Sequence, residues 1–217
     1  MLIYTARAAN NDEFFRDILR LYVAEGSAIA DLTWGGASFG LGLTRANTNL
    51  FDQTHTPCDV KADFGAVPLA DESQEAVVFD PPYVTRMGFK KRSKENPNGS
   101  NQKSAFGLDE NGPKNEREID ALYAAGTAEA RRILKRGGIL ILKTMDTQKW
   151  RHVELANLPG FKLIDLLVVV TKGKPPGKPY PQKHSRKNHS YFMVFRKLRR
   201  PTQVRRRKLN LAHGSPI

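Results

Sequence analysis

The chain predicts a doubly wound α/β sheet, and three observations carry that expectation. Short apolar runs recur at 27–33, 76–79, 139–142 and 162–170, as in strands covered on both faces. Segments with apolar residues at helical spacing alternate with them, and short glycine turns join the two kinds. The length of 217 residues suits one domain with a full core, expected over residues 1–197 and followed by a basic tail over 198–217.

Each element has its own signal. Phe14, Phe15, Ile18, Leu19, Tyr22 and Val23 define a helix over residues 11–25, with Asn11 or Asp12 as its N-cap and Gly26 as its stop. The strand Ser27 to Thr33 ends in Trp34-Gly35-Gly36-Ala37-Ser38, a glycine-bearing turn. A second strand near Thr48–Phe51 and a third element near Asp59–Phe64 precede the strand Ala76–Phe79. Residues 84–117 run polar, and a loop that long inside a compact domain is commonly a lid or a binding loop. A helix from Glu116 to Lys135 follows, ended by Gly137-Gly138, and then the strand Ile139 to Leu142. Residues 147–157 read as helical, Lys162 to Val170 as a strand, and Ser190 to Phe195 as the last strand. Between those last two strands, residues 172–189 form a loop rich in Lys, Pro and Gly. The chain has no internal repeat.

Composition narrows the function class. Forty per cent of the residues are apolar, no stretch approaches the ~20 apolar residues a membrane span needs, and no basic-then-apolar leader opens the chain. Cys58 is the only cysteine, so no internal disulfide and no cysteine-based zinc cluster can form, no metal is called for, and a reducing cytoplasm is the expected compartment. The net charge of +13 sits almost entirely at one end. Residues 172–217 hold 14 Lys/Arg and no Asp or Glu, while the preceding residues carry 21 basic and 22 acidic groups. Such a block points to a polyanion, most simply nucleic-acid phosphates. A solvated tail with no partner is the bland alternative.

Directly after Ala76-Val77-Val78-Phe79 stands Asp80-Pro81-Pro82-Tyr83. This tetrapeptide resembles the active-site motif of methyltransferases that modify an exocyclic amino nitrogen, and its physics can be argued from the residues. An amino group conjugated to a base ring is a poor nucleophile, because its lone pair is delocalised. A carboxylate such as Asp80 accepts one N–H, and a main-chain carbonyl at the stiff Pro81-Pro82 step accepts the other, since proline fixes φ and brings no donor. Tyr83 offers an aromatic face to a base drawn out of its stack. An ordinary strand-ending turn would use the same residue types.

The resemblance extends to the cofactor half. Asp31-x-Thr33-x-Gly35 is similar to the opening motif of class I S-adenosylmethionine-dependent methyltransferases, in which a tight turn lets the backbone approach the ligand beyond the carboxyl ends of the strands. The chain departs from the family at Ala37, where a second glycine is usual, and this puts the strength of cofactor binding in doubt. The resemblance implies that Asp52, with Asp59 as fallback, grips the cofactor ribose, and that Asp63 and Phe64 meet its adenine. Lys187-Asn188-His189-Ser190-Tyr191-Phe192-Met193-Val194-Phe195-Arg196-Lys197 resembles the closing strand of adenine-N6 and cytosine-N4 DNA methyltransferases. The resemblance to some relatives implies that Tyr4-Thr5-Ala6-Arg7 approaches the cofactor's methionine end, and Arg7, His184 and His189 read as structural or phosphate-contacting rather than catalytic.

The chain is thus identified as resembling a small, orphan or phage-like member of the Asp-Pro-Pro-Tyr DNA amino-methyltransferases. That implies a Rossmann-like, mostly parallel sheet with one antiparallel strand near the C-terminus, S-adenosyl-L-methionine as cofactor and DNA as partner. Adenine N6 is preferred over cytosine N4, because Asp is the commoner first residue of the motif with adenine. Adenine in RNA remains an alternative, as does a non-catalytic nucleic-acid-binding relic of the fold. Cytosine-C5 chemistry is rejected, since it needs a cysteine nucleophile and Cys58 lies before the motif without a Pro-Cys context. The chain has no room for a separate recognition domain, so contact with nucleic acid is expected from Lys90, Lys91 and Arg92 in the first loop and Lys183, Arg186 and Lys187 in the second. Arg196, Arg199, Arg200, Arg205, Arg206 and Arg207 complete the set.

Overall fold

The computed structural model describes residues 3–8, 10–34, 48–52, 59–83, 85, 112–146, 155, 157–170 and 188–199. Among them, eight strands and two long helices form one sheet with a helix on each face. The elements in chain order are β1 (Ala6–Ala8), α1 (Asn11–Tyr22), β2 (Ile29–Asp31), β3 (Thr48–Asp52), β4 (Val60–Lys61), β5 (Gln74–Phe79), α2 (Glu116–Ile133), β6 (Leu134–Thr144), β7 (Phe161–Val170) and β8 (His189–Lys197). The strand order is β1-β7-β8-β6-β5-β2-β3-β4. β8 pairs antiparallel with both neighbours, β6 and β7, and every other pairing is parallel. This is a doubly wound, Rossmann-like methyltransferase topology, with the antiparallel strand where the sequence predicts it.

Period-two alternation divides the core. On one face Phe14, Phe15 and Ile18 of α1 pack with Val78, Ile141, Val169, Phe192 and Val194. On the other, Ile119, Tyr123, Ala130 and Ile133 of α2 pack with Val77, Phe79, Leu140, Leu142, Met193 and Phe195. Gly126 of α2 sits so close to β5 that an added Cβ would lie 2.0 Å from Phe79 Cζ. The absence of a side chain there lets the helix descend onto the residue that precedes Asp80.

Local chemistry corrects several boundaries. The α1 cap is Asn10, whose side chain accepts the Glu13 amide at 2.8 Å, rather than Asn11 or Asp12, and the helix ends at Tyr22, four residues before Gly26. Asn115 caps α2 in the same way, accepting the Glu118 amide at 3.0 Å. Gly137 and Gly138 do not end α2; the chain passes from Ile133 directly into β6. Gly137, at φ 80°, instead lies where the β5–β6 register shifts, between the pairs Gln74↔Leu134 and Ala76↔Ile139. β4 is only two residues of the expected third element, and β1 gives no periodic signal in sequence because three residues are too few. β1 is held by pairing to Val168–Val170 and by the Arg7–Asp17 ion pair, with the Arg7 guanidinium 4.7 Å from the Phe14 ring centroid. The helical expectation over 147–157 falls largely outside the described residues. Among the described residues no helix is long and apolar enough to cross a membrane.

Candidate active site

The strand order reverses between β2 and β5. From β2 the chain steps outward to β3 and β4, then returns to the other side of β2 to form β5. Open α/β sheets bind ligands in the crevice such a reversal leaves at the carboxyl ends of the strands. Asp31 and Thr33 stand at that end of β2, Asp52 is the last residue of β3, and Asp80 follows the last residue of β5. Neighbouring strands are ~4.8 Å apart, so three segments far apart in sequence meet at one edge.

Hydrogen bonds brace this edge. Asp31 is buried and its Oδ1 accepts the Thr33 amide at 3.1 Å. The Thr33 hydroxyl in turn accepts the Asp80 amide at 2.7 Å. Thr33, expected at the cofactor, therefore commits an oxygen to orienting the Asp-Pro-Pro-Tyr turn.

The Asp80 side chain is mostly buried, and its Oδ2 accepts a hydrogen bond from Lys143 Nζ at 3.0 Å. Lys143 lies one residue beyond Leu142, the partner of Phe79, so strand register carries its ammonium to Asp80. The other carboxylate oxygen, Oδ1, is buried with no hydrogen-bond partner among the described residues. Burial raises the Asp80 carboxyl above its ordinary pKa, and the Lys143 charge opposes that rise. Burial alone would lower Lys143; the carboxylate outweighs it and holds the ammonium above its usual value. Lys143 thus favours the ionised form of Asp80 against a burial that disfavours it, and Oδ1 is left as a buried acceptor.

Tyr83 is 9 % exposed, with its ring centroid 5.7 Å from Lys143 Nζ. Its ring is packed over the ammonium rather than displayed on the surface, which differs from an open stacking platform. Beneath it, Tyr123 and Thr144 share a buried hydrogen bond of 3.0 Å, and burial pushes the Tyr123 hydroxyl well above its usual pKa. Beside them, Tyr191 donates to Asp146 Oδ2 at 3.3 Å and lies 2.9 Å from His189 Nε2. Burial first, and the Asp146 charge second, raise the Tyr191 hydroxyl.

The other expected residues fall into three groups. Asp63 is exposed and its Oδ1 accepts the Gly65 amide at 2.7 Å, while Phe64 packs 5.4 Å from the Phe79 ring, half-buried. Asp59 accepts the Leu50 amide at 2.9 Å and so holds β4 against β3. Gly35, Ala37, Lys90, Lys91, Arg92, Lys183, Arg186, Lys187, Arg200, Arg205, Arg206 and Arg207 lie outside the described residues. Arg196 and Arg199 are described and exposed, but they stand at the end of β8, and because β8 is antiparallel that end is the amino edge of the sheet. They are not brought together with Asp80.

Sequence reasoning missed Lys143, and a signal for it existed. A lone lysine closing the apolar run Ile139-Leu140-Ile141-Leu142 is unusual enough to call for a buried partner. Asp146 and Tyr191 had no such signal, since only the β6–β8 register joins them.

No family model matches the chain, and no curated protein matches it. Solved structures do. TrmN from Thermus thermophilus superposes with a TM-score of 0.52 over 85% of this chain at 16% identity. The chain has a methyltransferase fold. A Burkholderia thailandensis 1,6-didemethyltoxoflavin-N1-methyltransferase, solved with its substrate and S-adenosylhomocysteine, gives 0.54 over 87% at 12% identity. An rRNA methylase from Streptococcus thermophilus gives 0.50 over 89% at 12%. The chain spans 48%, 79% and 99% of these three proteins respectively.

Proposed function

We propose that the chain is an S-adenosylmethionine-dependent methyltransferase acting on the exocyclic amino group of a base in DNA, adenine N6 first. The observation that carries this reading is the divided Asp80 carboxylate, with Oδ2 committed to Lys143 and Oδ1 buried without a partner. A buried acceptor in that state costs free energy until an N–H reaches it. An amino group entering at the strand ends would supply that N–H, and a main-chain carbonyl at the Pro81-Pro82 step would accept the second.

The donor set suits the cofactor. Asp31 at the end of β2 and Asp52 at the end of β3 flank the crevice, and the binding of Asp59 to the Leu50 amide favours Asp52 for the ribose diol. Asp63 and Phe64 are the candidates for the adenine, and Gly35 and Ala37 for the close approach of backbone. When bound, the cofactor supplies a sulfonium methyl group of high reactivity. The protein contributes alignment, an effect of proximity and orientation. Asp80 draws one amino proton toward itself, which localises the nitrogen lone pair and stabilises the positive charge that develops as the N–C bond forms. Lys143 favours the ionised form of Asp80 for that task, opposing the effect of burial, and Thr33 holds its backbone.

The test is transfer of tritiated methyl from S-adenosylmethionine to unmethylated duplex DNA, followed by nucleoside analysis. Wild type should label N6-methyladenine, and Asp80→Asn should reduce the rate by roughly 10²- to 10⁴-fold with cofactor binding retained. Cofactor binding without transfer to DNA would sink the DNA reading and direct the same assay to RNA. Absence of cofactor binding would favour the relic.

A further inference from the structure

The amino edge of the sheet carries a second charged region. Lys135 and Arg136 at the start of β6, Lys162 of β7, Arg196 and Lys197 of β8, and Arg199 just beyond meet there. Contacts join them: Arg196 donates to the Gly137 carbonyl at 3.4 Å, and the Leu198 amide to the Gly160 carbonyl at 2.9 Å. Two carboxylates face the six cations. Glu75 pairs with Lys135, and Glu72 pairs with Arg136 at 3.3 Å and Lys197 at 3.4 Å. Burial pushes the Glu72 carboxyl up, but Arg136 and Lys197 together outweigh it and hold the group below its usual range.

The remaining cations are not compensated. Lys162, Arg196 and Arg199 are exposed and have no carboxylate partner among the described residues. Lys162 and Arg196 are moreover direct cross-strand partners. Like charges placed opposite one another on adjacent strands repel and destabilise the pair. An anion that bridges them removes that repulsion.

This edge is remote from Asp80. Along β8, Tyr191 lies opposite Thr144 beside the reactive carboxylate and Arg196 lies opposite Ile139. Five residues of strand at ~3.4 Å each separate the two levels by about 17 Å. A base held at Asp80 and a phosphate held at Arg196 therefore belong to different segments of nucleic acid.

We propose that the amino edge is a tether for the phosphate backbone of nucleic acid, holding a segment other than the one whose base is modified. This deepens the function proposed above and shares its substrate class. The tether should matter for long substrates and not for the methyl-transfer step.

The test uses the full chain and the variant Lys162→Gln/Arg196→Gln, whose sites are exposed and outside the catalytic machinery. Binding is titrated without cofactor over a range of salt, using a duplex of about 60 base pairs, a short duplex of about 12, and phosphatidylserine vesicles. The slope of log affinity against log salt for the long duplex should shrink by about two in the variant, close to one per lost phosphate contact. Transfer to the short duplex should keep its kcat. An unchanged slope would overturn the tether and leave a merely solvated face. Equal losses on both duplexes, or a fall in kcat, would also overturn it by assigning these residues to the reactive edge. Vesicle binding as strong as duplex binding, lost in the variant, would mean that a membrane is the partner. Because the binding assay needs no cofactor, an intact tether with no methyl transfer would reject the chemistry alone.

Discussion

The two edges of this sheet handle charge in opposite ways. At the carboxyl edge Asp80 and Lys143 neutralise each other in a poorly hydrated site, with side-chain exposures of 14 % and 7 %. At the amino edge Lys162 and Arg196 stand side by side in solvent with no carboxylate partner among the described residues. Low dielectric makes each hydrogen bond at the first edge consequential, and an unpaired charge there is costly. At the second edge water and salt screen every interaction, so individual charges contribute little to stability and are free to meet a polyanion. In the proposed reading, reactivity and attachment are separated on one frame.

Substitutions should separate the edges by size of effect. The largest structural effect is expected from Lys143→Met, which strands a buried carboxylate and should cost roughly 3 kcal/mol in a denaturant titration. The same variant tests how Lys143 acts. In the proposed mechanism the acceptor is ionised Asp80, so activity should fall as pH drops through the Asp80 pKa, which burial holds above the ordinary carboxylate value. Removing the cation raises that pKa further, so the acid limb of the pH profile should move to higher pH in the variant. A limb that stays in place would reduce Lys143 to a packing role. Adding Asp80→Asn to Lys143→Met should restore much of the stability and none of the activity.

A smaller effect is expected at Gly126. An alanine there drives a methyl group into the Phe79 ring and should cost about 1–3 kcal/mol, the usual range for overpacking. Because Phe79 precedes Asp80, kcat should fall with it while cofactor affinity changes less. Equal losses in both would mean that the ring does not position the motif.

The smallest effect is expected for Thr33→Val, which removes the acceptor of the Asp80 amide and should cost about 1 kcal/mol. Its signature is a kcat reduction without a matching rise in the cofactor dissociation constant. The reverse pattern would return Thr33 to the cofactor.

Much of this was legible in the chain. The strand expected at Ala76–Phe79, observed from Gln74, announces itself as an apolar run, the helix expected over Glu116–Lys135, observed to Ile133, by its period, and the Asp-Pro-Pro-Tyr turn by local stereochemistry. The start of α2 at Glu116 was legible, but its Asn115 cap was not named from the sequence, and the α1 cap was placed one or two residues late. The glycines at 137 and 138 misled because glycine serves a helix stop and a strand irregularity equally well, and tertiary pairing chooses between them.

What the sequence determined by itself is local: an apolar run that places Asp80 at a strand's end, proline stiffness after it, and a cationic C-terminal block. What only the tertiary structure decided is which groups meet. Lys143 reaches Asp80 across 63 residues because β6 lies beside β5, and Thr33 reaches it because β2 lies on the other side. The antiparallel run of β8 sends Arg196 to the opposite edge from the carboxylate that shares its chain. Charge and type are properties of a residue, but burial, pairing and protonation depend on neighbours that strand order supplies.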